Sequence, residues 1–182
     1  MEHWCFFLDC CKLATLKAHA HDCRMAHVCI HSDVYRLVHL SGSNLPITHL
    51  IFVFGSNKAG IHGAGAAKLA HQKFGAEWGV GEGITGGPDT LCYALPTKGY
   101  KIEKISNHEI KMAVTRFIDV AEYWALRGAE FKVTRVGCGL GGKLDSDIAP
   151  MFRNAPDNCL FDEYWKPWLD TYDIKRRYWG TF

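Results

Sequence analysis

Short apolar runs that end near glycine are the clearest pattern in the chain. Residues 50–54, 91–95 and 131–136 are rich in β-branched and aromatic side chains, which is typical of buried strands. Residues 34–40 alternate apolar and polar side chains and predict a further strand. An alanine-rich helical pattern covers about 64–74. Strands that alternate with helices predict an α/β fold.

The strongest helical signal starts at Ser106 and Glu109, which form a capping box that satisfies backbone N–H groups at a helix start. One apolar face then recurs at helical spacing. Its members are Ile110, Ala113, Val114, Phe117, Ile118, Ala121 and Ala125. Gly128, directly after Arg127, predicts where this helix ends. A short helix is predicted to begin near 146–147, with a polar cap at that position.

Glycine-rich loops follow three of the predicted strands, at 55–57, 96–99 and 137–142. Another glycine loop, 60–65, leads directly into the alanine-rich helix. A loop of this kind lets backbone amides approach a phosphate, and the helix N-terminus adds positive potential. In open α/β sheets, ligands bind outside the carboxyl ends of the strands. The pattern therefore predicts a pocket for a phosphate-bearing nucleotide.

Two common nucleotide-binding motifs fit this sequence poorly. Residues 137–142 match G-x-G-x-x-G after a strand, but Pro150 limits the following helix and only about 40 residues remain for a dinucleotide fold. A P-loop is excluded because no glycine loop ends in Gly-Lys-Ser or Gly-Lys-Thr. Residues 81–86 also match by letter, but Gly87-Pro88 follows instead of a helix, so 75–89 is predicted to be one long loop.

Composition narrows the class of protein without assigning a function. A chain of 182 residues with 48% hydrophobic and 22% charged residues fits one ordinary globular domain. A net charge of +2 gives no electrostatic footprint for nucleic acid. The apolar runs are too short to span a membrane, so no membrane partner is expected.

The first 32 residues differ in composition from the rest. They hold five of the eight cysteines and five of the ten histidines, without any glycine or proline. Four of them could be imagined as zinc ligands: Cys23, His27, Cys29 and His31. Their spacing matches neither common structural pattern, so we expect no metal site. We divide the chain into an extension at 1–32 and a domain at 33–182, and we expect a cytoplasmic location because no disulfide framework is visible.

Eight aromatic residues crowd the C-terminal segment 160–182. Aromatic side chains can stack on nucleobases, but this segment also carries four acids and lacks a basic stripe. Packing of these rings onto the domain is therefore predicted. A protein-interaction surface at this segment stays open as an alternative.

Three motifs in the order found here resemble the macrodomains, a family that binds ADP-ribose. Residues 63–75 resemble the segment that wraps the distal ribose and the phosphates, 93–98 the middle strand and its loop, and 136–141 the second phosphate loop. Order and spacing are most similar to the terminal ADP-ribose protein glycohydrolases. Residues 54–57 and 148–152 are also similar to macro-like proteins encoded by bacteriophages. The resemblance covers about residues 48–160.

The resemblance implies a three-layer macro-like domain with a central mixed sheet flanked by helices. It also implies that ADP-ribose lies across the strand ends, with its diphosphate on the amides of two loops. The ligand-binding residues that it implies are Gly55, Ser56, Asn57, His62, Gly63, Ala64, Gly65, Ala66, Thr97, Gly137, Cys138, Gly139, Leu140 and Gly141.

The resemblance also implies catalytic residues, each with a structural alternative. Lys98 falls where the subclass has a lysine whose amine attacks the anomeric carbon of ribose, although it also fits a solvated turn. Asn57 resembles an asparagine near the distal ribose, or a turn asparagine that bonds its own backbone. The subclass has an aspartate directly after Gly-Cys-Gly-Leu, where this chain has Gly141. Asp145 follows four residues later, and His62 could act as acid or base instead.

These observations favour binding of ADP-ribose or a related NAD-derived nucleotide, without a cofactor. Removal of ADP-ribose from modified macromolecules is the associated activity, and Gly141→Asp is expected to raise it if the other site residues are in place. A non-catalytic reader or sequestering module is the alternative.

Overall fold

The computed structural model describes residues 50–87 and 90–181. The strand predicted at 34–40, the extension at 1–32 and the zinc-ligand candidates lie outside these residues. Within them, no helix is both long enough and apolar enough to cross a membrane.

A six-stranded mixed sheet lies at the centre of the described part. Its strands are β1 (Leu50–Asn57), β2 (Gly83–Gly86), β3 (Leu91–Lys98), β4 (Glu130–Val133), β5 (Cys159–Asp162) and β6 (Arg177–Gly180). They are arranged in the order β2-β3-β1-β4-β5-β6. Only β2 runs antiparallel to its neighbour, β3.

Four α-helices accompany this sheet: α1 (Gly65–Phe74), α2 (Asn107–Ala125), α3 (Asp145–Ile148) and α4 (Lys166–Leu169). Two 3₁₀ segments, Ala149–Phe152 and Glu163–Trp165, precede or follow the short helices. The α/β class predicted from the sequence is confirmed.

β1 is the strand at which the direction of the connections reverses. The chain passes from β1 through α1 and β2 to β3 on one side, and then through α2 to β4 on the other side. In open α/β sheets, such a switch point opens a crevice beyond the carboxyl ends of the two flanking strands.

Alternate residues of β1 belong to two different apolar clusters. Phe52 and Phe54 pack with α1, whereas Ile51 and Val53 pack with α2. In the second cluster, the ring of Phe117 on α2 contacts three other aromatic rings at centroid distances of 5.0–6.0 Å. α1 and α2 therefore cover opposite faces of the sheet, because side chains alternate along a strand.

The predicted apolar face of α2 is confirmed over most of its length. Its members from Ile110 to Ala121 are buried or half-buried, and the capping box at Ser106 and Glu109 is formed. Ala125 is exposed, because the helix ends there and the chain turns at Gly128, whose φ is +72°.

The two central strands extend further than the sequence predicted. Residues 55–57, expected to form a turn, continue β1 and pair with the end of β3. Glycine at 55 lets the backbone of Gly137 approach closely, since a Cβ there would lie 3.1 Å from the amide nitrogen of Gly137. Pro96 also lies within β3, beyond Ala94, the last residue of β3 that pairs with β2. Pro96, which has no N–H to donate, therefore does not interrupt the hydrogen bonds between β3 and β2.

The prediction of one long loop at 75–89 is wrong, because β2 lies within it. Gly86 has φ of +133°, and a Cβ there would lie 2.3 Å from the Thr90 carbonyl oxygen. A strand bounded by glycines gives little periodic signal. β4 ends earlier than predicted, at Val133, because the chain then turns: the Val136 amide donates to the Thr134 carbonyl and the Cys138 amide to the Arg135 carbonyl.

Two segments after β4, the start of α3 and the C-terminal segment, were predicted with different success. The polar cap expected at 146–147 is wrong, because the residue before α3 is Leu144, which makes no side-chain cap bond. In the C-terminal segment, Phe161 and Trp165 are buried and Tyr178 lies in β6, which confirms packing of these rings. Two of the described rings are exposed, Tyr164 at 54% and Tyr172 at 98%.

Candidate functional site

The carboxyl ends of β1, β3 and β4 bring the candidate residues to one edge of the sheet. Asn57 and Lys98 are register partners at the ends of β1 and β3. The loop after β4 approaches both strands, because Gly137 lies against Gly55 and the methyl group of Thr97. This edge coincides with the switch point at β1.

The N-terminus of α1 offers free backbone donors at this edge. Ala64 precedes the helix without a side-chain cap, and the first turn contains no acid. The first hydrogen bond of the helical pattern is donated by the Lys68 amide to the carbonyl of Ala64, the residue before the helix. In the described structure, no group accepts a hydrogen bond from the amides of residues 65–67. These donors and the helix dipole favour an anion.

The N-terminus of α2 provides a contrast. Its capping box uses Ser106 and Glu109, and Glu109 also binds Lys58 at 2.9 Å. The hydrogen bonds from Lys58 and Ser106 lower the pKa of Glu109 to about 2. The start of α2 is therefore satisfied by its own chain, whereas the start of α1 is not.

The loop after β4 presents a second set of amides. It is closed by bonds from the Lys143 amide to the Gly137 carbonyl and from the Gly142 amide to the Gly139 carbonyl. Over residues 50–87 and 90–181, nothing accepts from the amides of 139–141. Two groups of backbone donors without an acceptor among the described residues thus lie on either side of the end of β1.

The two loops touch through one side chain. Leu140 Cδ1 lies 3.2 Å from the position that a Cβ on Gly65 would take, although Leu140 is 69% exposed. Gly63 and Gly139 have open space instead, with no atom within 4 Å of an added Cβ. We call the space bounded by residues 63–66 and 137–141 the cradle.

Asn57 adopts the turn arrangement that was the alternative to a catalytic role. Its amide nitrogen donates to the Ile61 carbonyl at 2.7 Å, and its oxygen accepts from the Ile61 amide at 3.0 Å. The side chain is buried and holds the loop that leads to α1. The Gly79 amide supports the same loop by donating to the Gly60 carbonyl.

His62 is a buried support of this loop. Its ring is 1% exposed and packs edge-on against Phe54. Nε2 lies 3.0 Å from the Glu77 carbonyl, which can only accept, so Nε2 carries the proton. Nδ1 has no hydrogen-bond partner among the described groups. Burial lowers the pKa of His62, and the bond to Glu77 offsets this only in part.

We predict that His62 makes the protein less stable in acid. Above about pH 6.5, the usual pKa of histidine, the folded and unfolded chains both hold a neutral ring. Below this pH, the unfolded chain binds a proton more readily than the folded chain does. The free energy of unfolding therefore falls by up to about 1.4 kcal/mol per pH unit. Chemical denaturation between about pH 7.5 and 5.5 measures this slope.

His62→Gln should flatten the slope, since glutamine can still donate to the Glu77 carbonyl. His108→Gln is the control, because it removes an exposed histidine on α2. A slope in His62→Gln as steep as in the wild type would show that another group causes the acid sensitivity.

Lys98 is the half-buried lysine at the end of β3. Its neighbours Lys58 and Lys143 are engaged, the first by Glu109 and the second by the Ile105 carbonyl and Asn107. The Lys98 amine forms no hydrogen bond or ion pair with any described residue. It is therefore available to a ligand.

Asp145 is committed to other side chains. Arg135 binds it with two parallel hydrogen bonds of 2.9 and 2.7 Å, and Trp165 Nε1 donates to the same carboxylate at 2.7 Å. Burial alone would raise the pKa of Asp145, but these bonds outweigh it and hold the pKa below its usual value. An ionised carboxylate with occupied oxygens is poorly suited to act as a general acid.

The remaining predicted side chains hold the loops together. Thr97 is buried and donates to the Ser56 carbonyl at 3.2 Å. Cys138 lies 3.6 Å from the Val136 carbonyl, and burial, assisted by Asp145, raises the pKa of its thiol to about 12. A ligand in the cradle would therefore meet backbone rather than these side chains.

The sequence interpretation missed Arg135, Trp165 and Tyr164. Arg135 lies directly before the glycine loop and stacks over the Tyr164 ring at 4.0 Å. A basic residue before a glycine loop and an acid soon after it is a visible signal, and it could have indicated a pair across the loop ends.

Comparisons with protein-family models, with curated proteins and with solved structures each give no match.

Proposed function

We propose that the chain binds ADP-ribose or a related NAD-derived nucleotide in the cradle, as a three-layer macro-like domain. The observation that carries this proposal is the pair of unsatisfied amide groups, 65–67 and 139–141, on either side of the end of β1. A diphosphate offers acceptors to both groups at once, whereas a single phosphate satisfies one of them.

The same geometry favours binding over catalysis. Asp145, the acid expected from the sequence, is bound by Arg135; Glu109 and Asp147 are likewise bound, by Lys58 and by the side-chain amide of Asn107. None of these three carboxylates is then free to give general acid–base assistance, which is typically worth about 10²–10⁴-fold. A reader or sequestering module is consistent with this arrangement.

Removal of ADP-ribose stays the second candidate because of Lys98. An unprotonated lysine amine can attack the anomeric carbon of ribose while the bond from that carbon to the modified macromolecule breaks, and water then hydrolyses the adduct to release ADP-ribose and the free lysine. The alternative of a protein-interaction surface at the C-terminal aromatics is less well supported, since most of the rings described there are buried or half-buried.

Titration calorimetry with ADP-ribose tests the binding proposal, with AMP and ribose 5-phosphate as ligands that lack the diphosphate. We expect ADP-ribose to bind more tightly than either monophosphate, because only the diphosphate spans both amide groups. A folded protein that gives no binding signal with ADP-ribose would contradict the proposal.

Lys98→Ala separates the reader from the hydrolase. We expect it to weaken ADP-ribose binding by about threefold, since one solvent-accessible charge contact contributes roughly 0.5–1 kcal/mol. Any release of ADP-ribose from a modified protein should be lost in this variant. Lys111→Ala, an exposed lysine on α2, is the control. Release that survives Lys98→Ala would exclude Lys98 as the nucleophile.

A further inference from the structure

The glycine loop after β4 begins and ends at oppositely charged residues. Arg135 lies directly before residues 136–144 and Asp145 directly after them. Their bond is bidentate, with Nε to Oδ1 at 2.9 Å and Nη2 to Oδ2 at 2.7 Å. A planar fork bound to a carboxylate fixes orientation as well as distance. The pair therefore fixes the two ends of the loop relative to each other.

This ion pair is anchored to the core of the domain. Trp165, which is fully buried, donates its indole N–H to Oδ1 of Asp145 at 2.7 Å. The ring of Tyr164 lies under the guanidinium at 4.0 Å. Both aromatic residues follow β5. The loop ends are thus attached to the neighbouring strand and not only to each other.

The loop needs such an anchor because of its own sequence. Four of the six residues in 137–142 are glycines, which lose more conformational freedom on ordering than other residues. A loop that is ordered only when the ligand binds subtracts that cost from the affinity. An anchor present before binding removes part of this cost.

We propose that Arg135 and Asp145 are positioning residues, a clasp that holds the amides of 139–141 in place for the phosphates of the nucleotide. This inference rests on the proposed function for its ligand. It assigns Asp145 a role that differs from the acid or base expected from the sequence. Neither residue needs to touch the ligand for the clasp to act.

The chain contains a matched control for this clasp. Arg116 and Glu82 form a second bidentate pair, with Nε to Oε1 at 2.7 Å and Nη2 to Oε2 at 3.0 Å. The side chains are 35% and 15% exposed, against 31% and 15% for Arg135 and Asp145. The control pair joins α2 to the residue before β2, on the other side of β1.

The experiment compares isosteric or charge-removing changes in both pairs. The clasp variants are Asp145→Asn and Arg135→Gln, and the control variants are Glu82→Gln and Arg116→Gln. Each protein is measured by thermal denaturation, by ADP-ribose calorimetry and by amide hydrogen exchange at Gly142 and Lys143, whose amides donate to carbonyls of the same loop. The exchange measurement needs no ligand and reports on the loop directly.

We expect the clasp variants to bind ADP-ribose about tenfold more weakly and to exchange the loop amides faster. The control variants should stay within about twofold of the wild-type affinity, with a similar loss of melting temperature. Arg135→Lys should give an intermediate affinity, because a lysine keeps the charge but loses the fork.

Two results would overturn the clasp: equal affinity and exchange in all variants, or equal losses in the clasp and control pairs. If the wild type does not bind ADP-ribose, the proposed function is wrong. The exchange data alone then decide whether the Arg135–Asp145 pair holds the loop in place. Faster exchange confined to the clasp variants would then support the clasp, and unchanged exchange would refute it.

Discussion

Gly139→Leu should abolish ADP-ribose binding and leave thermal unfolding unchanged. A Cβ at this position meets no atom within 4 Å, and the backbone there does not require glycine. The side chain would therefore fit the folded protein, and we expect it to occupy space in the cradle, which Gly139 borders. Because a ligand would have to displace it or distort the loop, we expect affinity to fall by about 100-fold or more.

Gly87→Leu is the matched control for this change. Gly87 also has no atom within 4 Å of an added Cβ, but it lies between β2 and the start of β3, away from the carboxyl edge. Calorimetry and thermal denaturation on both variants complete the test. If Gly139→Leu binds ADP-ribose as well as the wild type does, the cradle is not the nucleotide site.

Gly141→Asp should destabilise the protein and should not create a hydrolase. The sequence led to the opposite expectation, since an aspartate at this position would restore the pattern of the resembling glycohydrolases. The structure gives a physical reason to expect otherwise: a Cβ at 141 would lie 2.3 Å from the Gly137 carbonyl oxygen and 2.8 Å from its carbon. These are backbone atoms, so the loop itself would have to move.

We expect Gly141→Ala alone to lower the free energy of unfolding by about 2 kcal/mol, since overpacking against backbone typically costs about 1–3 kcal/mol. ADP-ribose binding should weaken with it, because the amides of 139–141 shift when the loop moves. Chemical denaturation measures the first effect and calorimetry the second. Gly139→Ala serves as the control within the same loop, and a Gly141→Ala variant as stable as this control would show that the loop adapts freely.

The elements that the sequence predicted well depend on local signals. α2 carries both a capping box and a long apolar period, and the structure forms it from Asn107. β1, β3 and β4 begin as dense apolar runs, and each is present. Capping and periodicity are properties of neighbouring residues, so they can be read without knowing what the element packs against.

The features that were missed depend on distant residues. Gly55 stays in β1 because the backbone at Gly137 lies against it, and Pro96 stays in β3 because β2 stops short of it. Asp145 is engaged by Arg135 and by Trp165, which lies 20 residues away in sequence. The charges on either side of the glycine loop could have indicated the bond between Arg135 and Asp145, but the contact with Trp165 and the close approach at Gly55 come from the topology of the sheet, which no local pattern reports.

The bare start of α1 connects the stability of the domain to its occupancy. A serine, threonine or aspartate in place of Ala64 would ordinarily stabilise such a helix by about 1 kcal/mol. Ala64 has no side-chain acceptor and does not contribute this stabilisation. In the proposed complex, a phosphate that accepts from the same amides would take the place of the missing cap. The occupied protein then resists unfolding by an amount that grows with the logarithm of ligand concentration. The nucleotide would act as a helix cap that can dissociate. The free energy of unfolding of the domain would therefore depend on the nucleotide concentration.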